Sequence, residues 1–283
     1  MRSILIALAL ITPSISTLAQ QPTADSIMAR VALNQDHSES ERARYIYVQH
    51  TRTASRKGKT VMCEEITDYR VTPSDTDSTR QLLKLEGRLL QKHQYITYDT
   101  LSPKKEPVSD HEDNLDGIDR DLVENMRANL TNDKSKDGIG AHLFPLTSKN
   151  QLDYQFHLLG REQRNGHEVF HLNFRPRDKD DYSWKGDAYI DTATYQPVLI
   201  RTTMARNLPF AVRTLMGTSL PGLGFTVAYA PQPDGVWFPI TFGTEFKLHF
   251  LFFFNREITL SADNRDFAKT HVSSQILETQ GAP

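Results

Sequence analysis

The apolar positions of this chain change their period twice. Ile4 through Ile11 are unbroken apolar residues behind Arg2. Over Ala24–Gln35 the spacing becomes helical, with Ile27 and Val31, and Met28 and Ala32, each at i, i+4, and Thr23 placed to cap the first turn. From Tyr45 the period becomes two, which predicts strands over Arg44–Thr53, Thr60–Thr72, Arg80–Leu85 and Gln91–Thr100. Turn residues separate them at Lys57-Gly58-Lys59, Pro73-Ser74-Asp75 and Glu86-Gly87.

Ser102–Asp121 is charged and poor in apolar residues, as expected of a solvated loop. It leads into a helix whose Leu122, Met126 and Leu130 form a stripe at i, i+4, i+8, with Asp119 as its cap. Strand patterns then resume. Asp153–Arg161 and Glu168–Phe174 flank Asn165-Gly166, the strongest short hairpin signal. Lys185–Asp191 and Val198–Arg206 flank Thr192–Pro197, and Phe225–Ala230 and Val236–Phe242 flank Pro231–Gly235. A very long strand over Thr244–Leu260 and a last one over Lys269–Leu277 complete ten or eleven strands. Short turns make neighbours antiparallel, and a sheet that wide must curl or close. The expectation is a mainly β (α+β) fold: a strongly curved antiparallel sheet of about eleven strands, an incomplete barrel with two or three helices on its concave face.

The opening segment changes the picture of compartment. A positive start, a short apolar core and Thr17-Leu18-Ala19 read as a signal peptide, residues 1–19, cleaved after Ala19. That core is shorter than the roughly 20 residues a membrane span needs. With no cysteine near the cleavage site to carry a lipid, the protein is expected to be periplasmic or secreted, and residues 20–283 to form one domain. Cys63 is the single cysteine, so no internal disulfide can form and stability rests on core burial. With 33 basic against 35 acidic residues, nothing points to nucleic acid or an anionic membrane surface.

Candidate chemistry is sparse. His167-Glu168-Val169-Phe170-His171 matches the zinc-protease pattern, which works on a helix because residues i and i+4 lie about 6 Å apart. Here it follows Asn-Gly and alternates as a strand, where the same residues stand about 13 Å apart. A zinc-dependent hydrolase through this motif is therefore a minor alternative. Two acidic stretches imitate calcium loops, Glu112–Val123 and Asp133–Phe144, and both lack the closing glutamate. Ser219 lacks a nucleophile elbow, and Gly222-Leu223-Gly224 lacks a phosphate loop's third glycine. No catalytic residue, metal or cofactor is expected, and the chain does not read as an enzyme.

The last third instead carries an excess of aromatic residues. Phe238, Ile240, Phe242, Phe246, Leu248, Phe250, Phe252 and Phe254 share one parity, with Phe225, Val227 and Tyr229 a hairpin earlier. This face is either ordinary core or the lining of a cavity for an acyl-chain-sized ligand. Asn207–Gly224, with Leu208, Phe210, Val212, Leu215 and Met216, reads as an apolar insertion able to gate its mouth.

The chain resembles the periplasmic outer-membrane lipoprotein-sorting carriers, the LolA/LolB-like superfamily, and in particular its little-characterised exported branch. The residues carrying the resemblance are Trp184–Asp191 with Thr194–Val198, Asn165–Phe170, Asp234–Pro239 and Arg44–Tyr47. The resemblance implies a half-barrel of about eleven antiparallel strands whose concavity shelters acyl chains, with extra loops here at Ser102–Asp121 and Arg177–Tyr182. The expected function is a lipid- or lipoprotein-binding carrier for an apolar ligand; the alternative is an envelope sensor or scaffold that docks a protein partner.

Overall fold

The computed structural model describes residues 21–73, 78–101, 117–130, 144–178, 184–204, 223–250 and 254–270. In chain order they form α1 (Ala24–Arg42), β1 (Tyr45–Lys57), β2 (Thr60–Pro73), β3 (Ser78–Gln91), β4 (Gln94–Tyr98), α2 (Ile118–Leu130) and α3 (Ser148–Gln151). There follow β5 (Tyr154–Arg164), β6 (His167–Pro176), β7 (Trp184–Asp191), β8 (Pro197–Met204), β9 (Gly224–Pro231), β10 (Trp237–Phe250) and β11 (Phe254–Lys269).

All eleven strands join one sheet in the order β4-β3-β2-β1-β11-β10-β9-β8-β7-β6-β5, antiparallel throughout. The sheet is two meanders, β1–β4 and β5–β11, sewn together where β1 pairs with β11 from Tyr45↔Lys269 to Arg56↔Glu257. Its edges, β4 and β5, are not paired to each other, so it is open, as the strand count and turn spacing imply.

Both long helices cover the same face, here called the inner one. Ile27, Met28 and Val31 of α1 join Phe144, Leu146, Phe170, Leu172, Ile190, Ile200, Val227 and Phe242 in the main core. Full burial of each large aliphatic side chain contributes roughly 1.5–3 kcal/mol. Thr23 caps α1 as read, its hydroxyl accepting from the Ser26 amide at 3.2 Å. The helix runs seven residues beyond the apolar repeat because polar contacts hold its second half. Gln35 donates to Gln196 at 2.7 Å, and buried Arg42 donates to Gln35 at 3.2 Å and to the Trp237 carbonyl at 3.3 Å.

Three boundaries differ from the sequence expectation. The turn between β3 and β4 falls at Lys92-His93, both at positive φ (45° and 70°), and not at Glu86-Gly87. Gly87 is mid-strand because the Tyr98 ring lies across it, where a side chain would collide. The expected strand over Thr244–Leu260 is the end of β10 and the start of β11, folded back so that Phe250 pairs with Phe254. Gly243 does not interrupt β10. Of the last expected strand, only Lys269 ends β11; residues 271–277 lie outside the described residues. The Asn165-Gly166 hairpin is as read, with both residues at positive φ (50° and 83°), as a tight two-residue turn requires.

Candidate functional site

Register decides which aromatic residues share the inner face. Phe242 faces Val227 on β9 and Ala262 on β11, and Phe246 faces Ile258. Leu248 and Phe250 follow with the same parity, at the register positions of Arg256 and Phe254. The hairpin therefore gathers Phe242, Phe246, Leu248 and Phe254 on one face with Phe225, Val227 and Tyr229. Phe225 and Phe242 lie tilted against each other at 5.3 Å, and Trp184 meets Phe225 edge-on at 4.7 Å. Phe246 and Phe254 are buried, and Leu248 is half-buried.

Phe238 packs apart from this cluster. An extra residue in β10, between the pairs Pro239↔Tyr229 and Thr241↔Ala228, shifts the alternation at Ile240. Phe238 packs instead against Tyr45 at 4.9 Å and Phe267 at 4.8 Å. Such a bulge leaves no sequence mark beyond Pro239 itself. Phe252 and the expected gate residues Leu208, Phe210, Val212, Leu215 and Met216 lie outside the described residues.

Beyond the apolar half, the inner face turns polar under α2. The helix buries Asp119, Val123 and Arg127, whereas Leu122 and Met126 of the predicted apolar stripe are only half-buried. Asp119 lies inside the first turn and not at the cap, and Arg256 of β11 grips its two carboxylate oxygens at 2.6 and 2.8 Å. Ser55 donates to the same carboxylate at 2.6 Å. Arg127 donates to Glu65 at 2.8 Å and to the Tyr69 hydroxyl at 2.6 Å, and Tyr98 donates to Glu65 at 2.9 Å. Cys63 lies in the same layer with Leu89 and Val123. Burial pushes its thiol up to about 12, so it stays protonated and inert near neutrality. Residues of the two calcium-loop imitations fall outside the described residues, apart from Gly117–Val123 and Phe144; Val123 and Phe144, at the closing positions, are both in apolar clusters.

The other face carries the histidine motif. His167 and His171 lie on strand β6, as the alternation implies, each beside a different aspartate of β7: His167–Asp191 at 2.8 Å and His171–Asp187 at 3.1 Å. Burial alone would raise the Asp191 carboxyl, but hydrogen bonds from Thr194, His167 and the Ala193 amide outweigh it and hold the group below its ordinary value. Among the described residues, no three metal-binding side chains converge. Two concavities were not foreseen. One, about 560 Å³, has Arg52, Arg56, Glu245 and Thr259 around Gly243 on the outer face. The other, about 540 Å³, lies between α1, α3 and β5, beside the exposed Leu33 and Leu152 (68% and 72%).

No family model matches the sequence, and no curated protein matches it significantly. Solved structures do match. A LolA superfamily protein from Nitrosomonas europaea aligns over 89% of this chain and 96% of its own, at 13% identity and a TM-score of 0.36. A DUF1329 family protein from Desulfovibrio piger aligns over 90% and 96%, at 10% identity and a TM-score of 0.40. A lipoprotein-sorting domain from Vibrio parahaemolyticus aligns over 87% and 95%, at 13% identity and a TM-score of 0.37. Among the described residues, no helix is long and apolar enough to cross a membrane.

Proposed function

We propose that this chain is an exported carrier, freed of residues 1–19, whose single domain shelters an apolar ligand such as a lipid or a lipoprotein acyl chain. The observation that carries the reading is the inner face of β9–β11. It carries Phe225, Val227, Phe242, Phe246 and, at the hairpin end, Phe254, broken only by Thr244 and Arg256, on a sheet whose edges stay unpaired. Sequestering a chain on such a face stabilises the complex by about 0.8 kcal/mol per CH₂ removed from water. Phe246, Leu248, Phe250 and Phe254, farthest along the hairpin, are the proposed lining. The segment containing Phe210 and Met216 is the proposed gate.

Native mass spectrometry of protein drawn gently from periplasm, followed by solvent extraction, tests this. A lipid or acylated peptide at near one-to-one stoichiometry is expected. Protein that arrives empty and takes up no fluorescent fatty acid overturns the carrier reading. One observation favours docking of a protein partner as the second reading: exposed Leu33 and Leu152 flank a depression beside the free edge of β5. Under that reading a stoichiometric protein, and no lipid, is recovered.

A further inference from the structure

We infer that the outer-face groove over Gly243 is a second binding site, and that it takes a short zwitterionic peptide. The peptide's terminal carboxylate pairs with Arg56 and its terminal ammonium with Glu245. The site lies on the opposite face of the sheet from the apolar lining, so it stands or falls apart from the carrier reading. Its first ground is the glycine itself. At Gly186 and Gly224 a side chain would collide with the carbonyls of Arg201 and Thr202, so close strand packing explains both. Gly243 has no such reason. It is not at positive φ, and its pairing with Thr226 on β9 and Ser261 on β11 is unbroken. A Cβ there would find nothing nearer than the Leu260 carbonyl oxygen, at 4.0 Å. Glycine weakens a strand interior, and one that the fold does not require marks a place where a ligand approaches the backbone. Thr226, Thr259 and Ser261 around it are small, which leaves the groove of about 560 Å³ open, a size that suits a small ligand.

The second ground is charge. Three charged side chains line the groove, Arg52, Arg56 and Glu245. Arg52 is engaged, its Nε donating to Glu64 at 2.8 Å. Arg56 is not. Its Nε is buried without an acceptor, and among the described residues none meets its other nitrogens, Glu257 opposite it in register included. A buried charged donor left unmade is costly, and a guanidinium is best matched by a carboxylate that it grips with two hydrogen bonds. Glu245, exposed and without an ion pair among the described residues, would repel a plain anion. The ligand's other end is therefore cationic. Arg56 is on β1 and Glu245 on β10, with β11 between them, so their strands stand about 10 Å apart. A tripeptide spans at most about 10 Å between its ends, and its amides would lie over the hydroxyls of Thr259 and Ser261. The groove offers no deep pocket for a large side chain, so small residues suit it.

Calorimetric titration of the protein with tri-alanine, its N-acetyl form and its C-terminal amide tests this. Tri-alanine is expected to bind wild type about tenfold more tightly than either blocked form, since one charge-assisted hydrogen bond accounts for roughly that factor. Arg56→Gln is expected to bind tri-alanine and its amide equally while still discriminating against the acetylated form. Glu245→Gln is expected to do the reverse. Gly243→Val is expected to bind none of the three, with a melting temperature that holds or rises, because valine suits a strand and meets no atom there. Tri-alanine that fails to bind wild type, or binds it no better than the blocked forms, overturns the inference. So does either charge variant that keeps the wild-type pattern, or a Gly243→Val protein that still binds. A lower melting temperature in Gly243→Val shows that the fold itself requires the glycine and also overturns it. Fatty acid uptake by the inner face is expected to be unchanged in all three variants, so each of these outcomes leaves the carrier reading intact.

Discussion

Asp234 shows how much a single exposed turn residue can do. The Pro231–Gly235 turn carries its carboxylate to Tyr45 at the start of β1 and, at 2.9 Å, to Lys269 at the end of β11. The hydrogen bond from Tyr45 and the Lys269 ammonium lower the Asp234 carboxyl to about 2, while burial and the same carboxylate push the Tyr45 hydroxyl to about 12. A carboxyl depressed on folding favours the folded state wherever it is ionised. That contribution is complete above the unfolded value near 3.8 and disappears as pH falls through about 2. Between about pH 4 and pH 2 the unfolded chain binds the extra proton, so stability must fall with acidification in that window. Urea unfolding of Asp234→Asn across the same range is expected to show a shallower slope than wild type. An unchanged slope refutes the assignment. The sequence marks Pro-Asp-Gly as a turn; its two distant partners are 189 and 35 residues away and leave no local trace.

At the scale of an element, α2 explains why the apolar pattern misplaced a face. Leu122, Met126 and Leu130 repeat at helical spacing, yet the helix turns Asp119, Val123 and Arg127 to the sheet. The reason is the surface it meets, which offers Glu65, Tyr69, Ser55 and Arg256 and so rewards charged partners over apolar ones. Partners drawn from three separate strands cannot be read from a periodicity within one helix. Removing Arg127 takes the guanidinium partner from Glu65, which has no exposed surface, and losses of about 3–5 kcal/mol are typical of such a half-broken buried pair. Arg127→Ala is therefore expected to lower the unfolding free energy by that amount. The double variant Glu65→Gln, Arg127→Met is expected to recover most of it, since the glutamine keeps an acceptor for Tyr98 and the methionine fills the space. A loss below about 1 kcal/mol in the single variant places the pair with ordinary surface salt bridges. Hairpins with their own chemistry were legible, as at Asn165-Gly166, whereas Lys92-His93 carries no glycine or asparagine to announce its turn.

For the whole molecule, the decisive contact is the one no local pattern contains. Alternation and turns along the chain yield two meanders, but only the pairing of β1 with β11 makes them one sheet, joining residues over 200 apart such as Gln49 and Asn264. This seam lies inside the sheet, with three strands beyond β1 and six beyond β11. Both strands are flanked on each side, and Thr51, Thr53, Ser55, Ile258 and Leu260 along it are buried. The edges differ sharply: β4 is five residues long with Tyr95 and Ile96 half-exposed, and β5 has one free side. Local opening costs least where few buried contacts resist it. Native-state hydrogen exchange is therefore expected to rank amides of β1 and β11 slowest, near the global unfolding free energy, and those of β4 and the outer side of β5 fastest. A ligand held on the inner face would add protection along β10 and β11, nearest Phe246 and Leu260, before it slowed β4. If β4 exchanges as slowly as β1, the sheet is closed or capped at that edge, and the open mouth that the carrier reading requires does not exist.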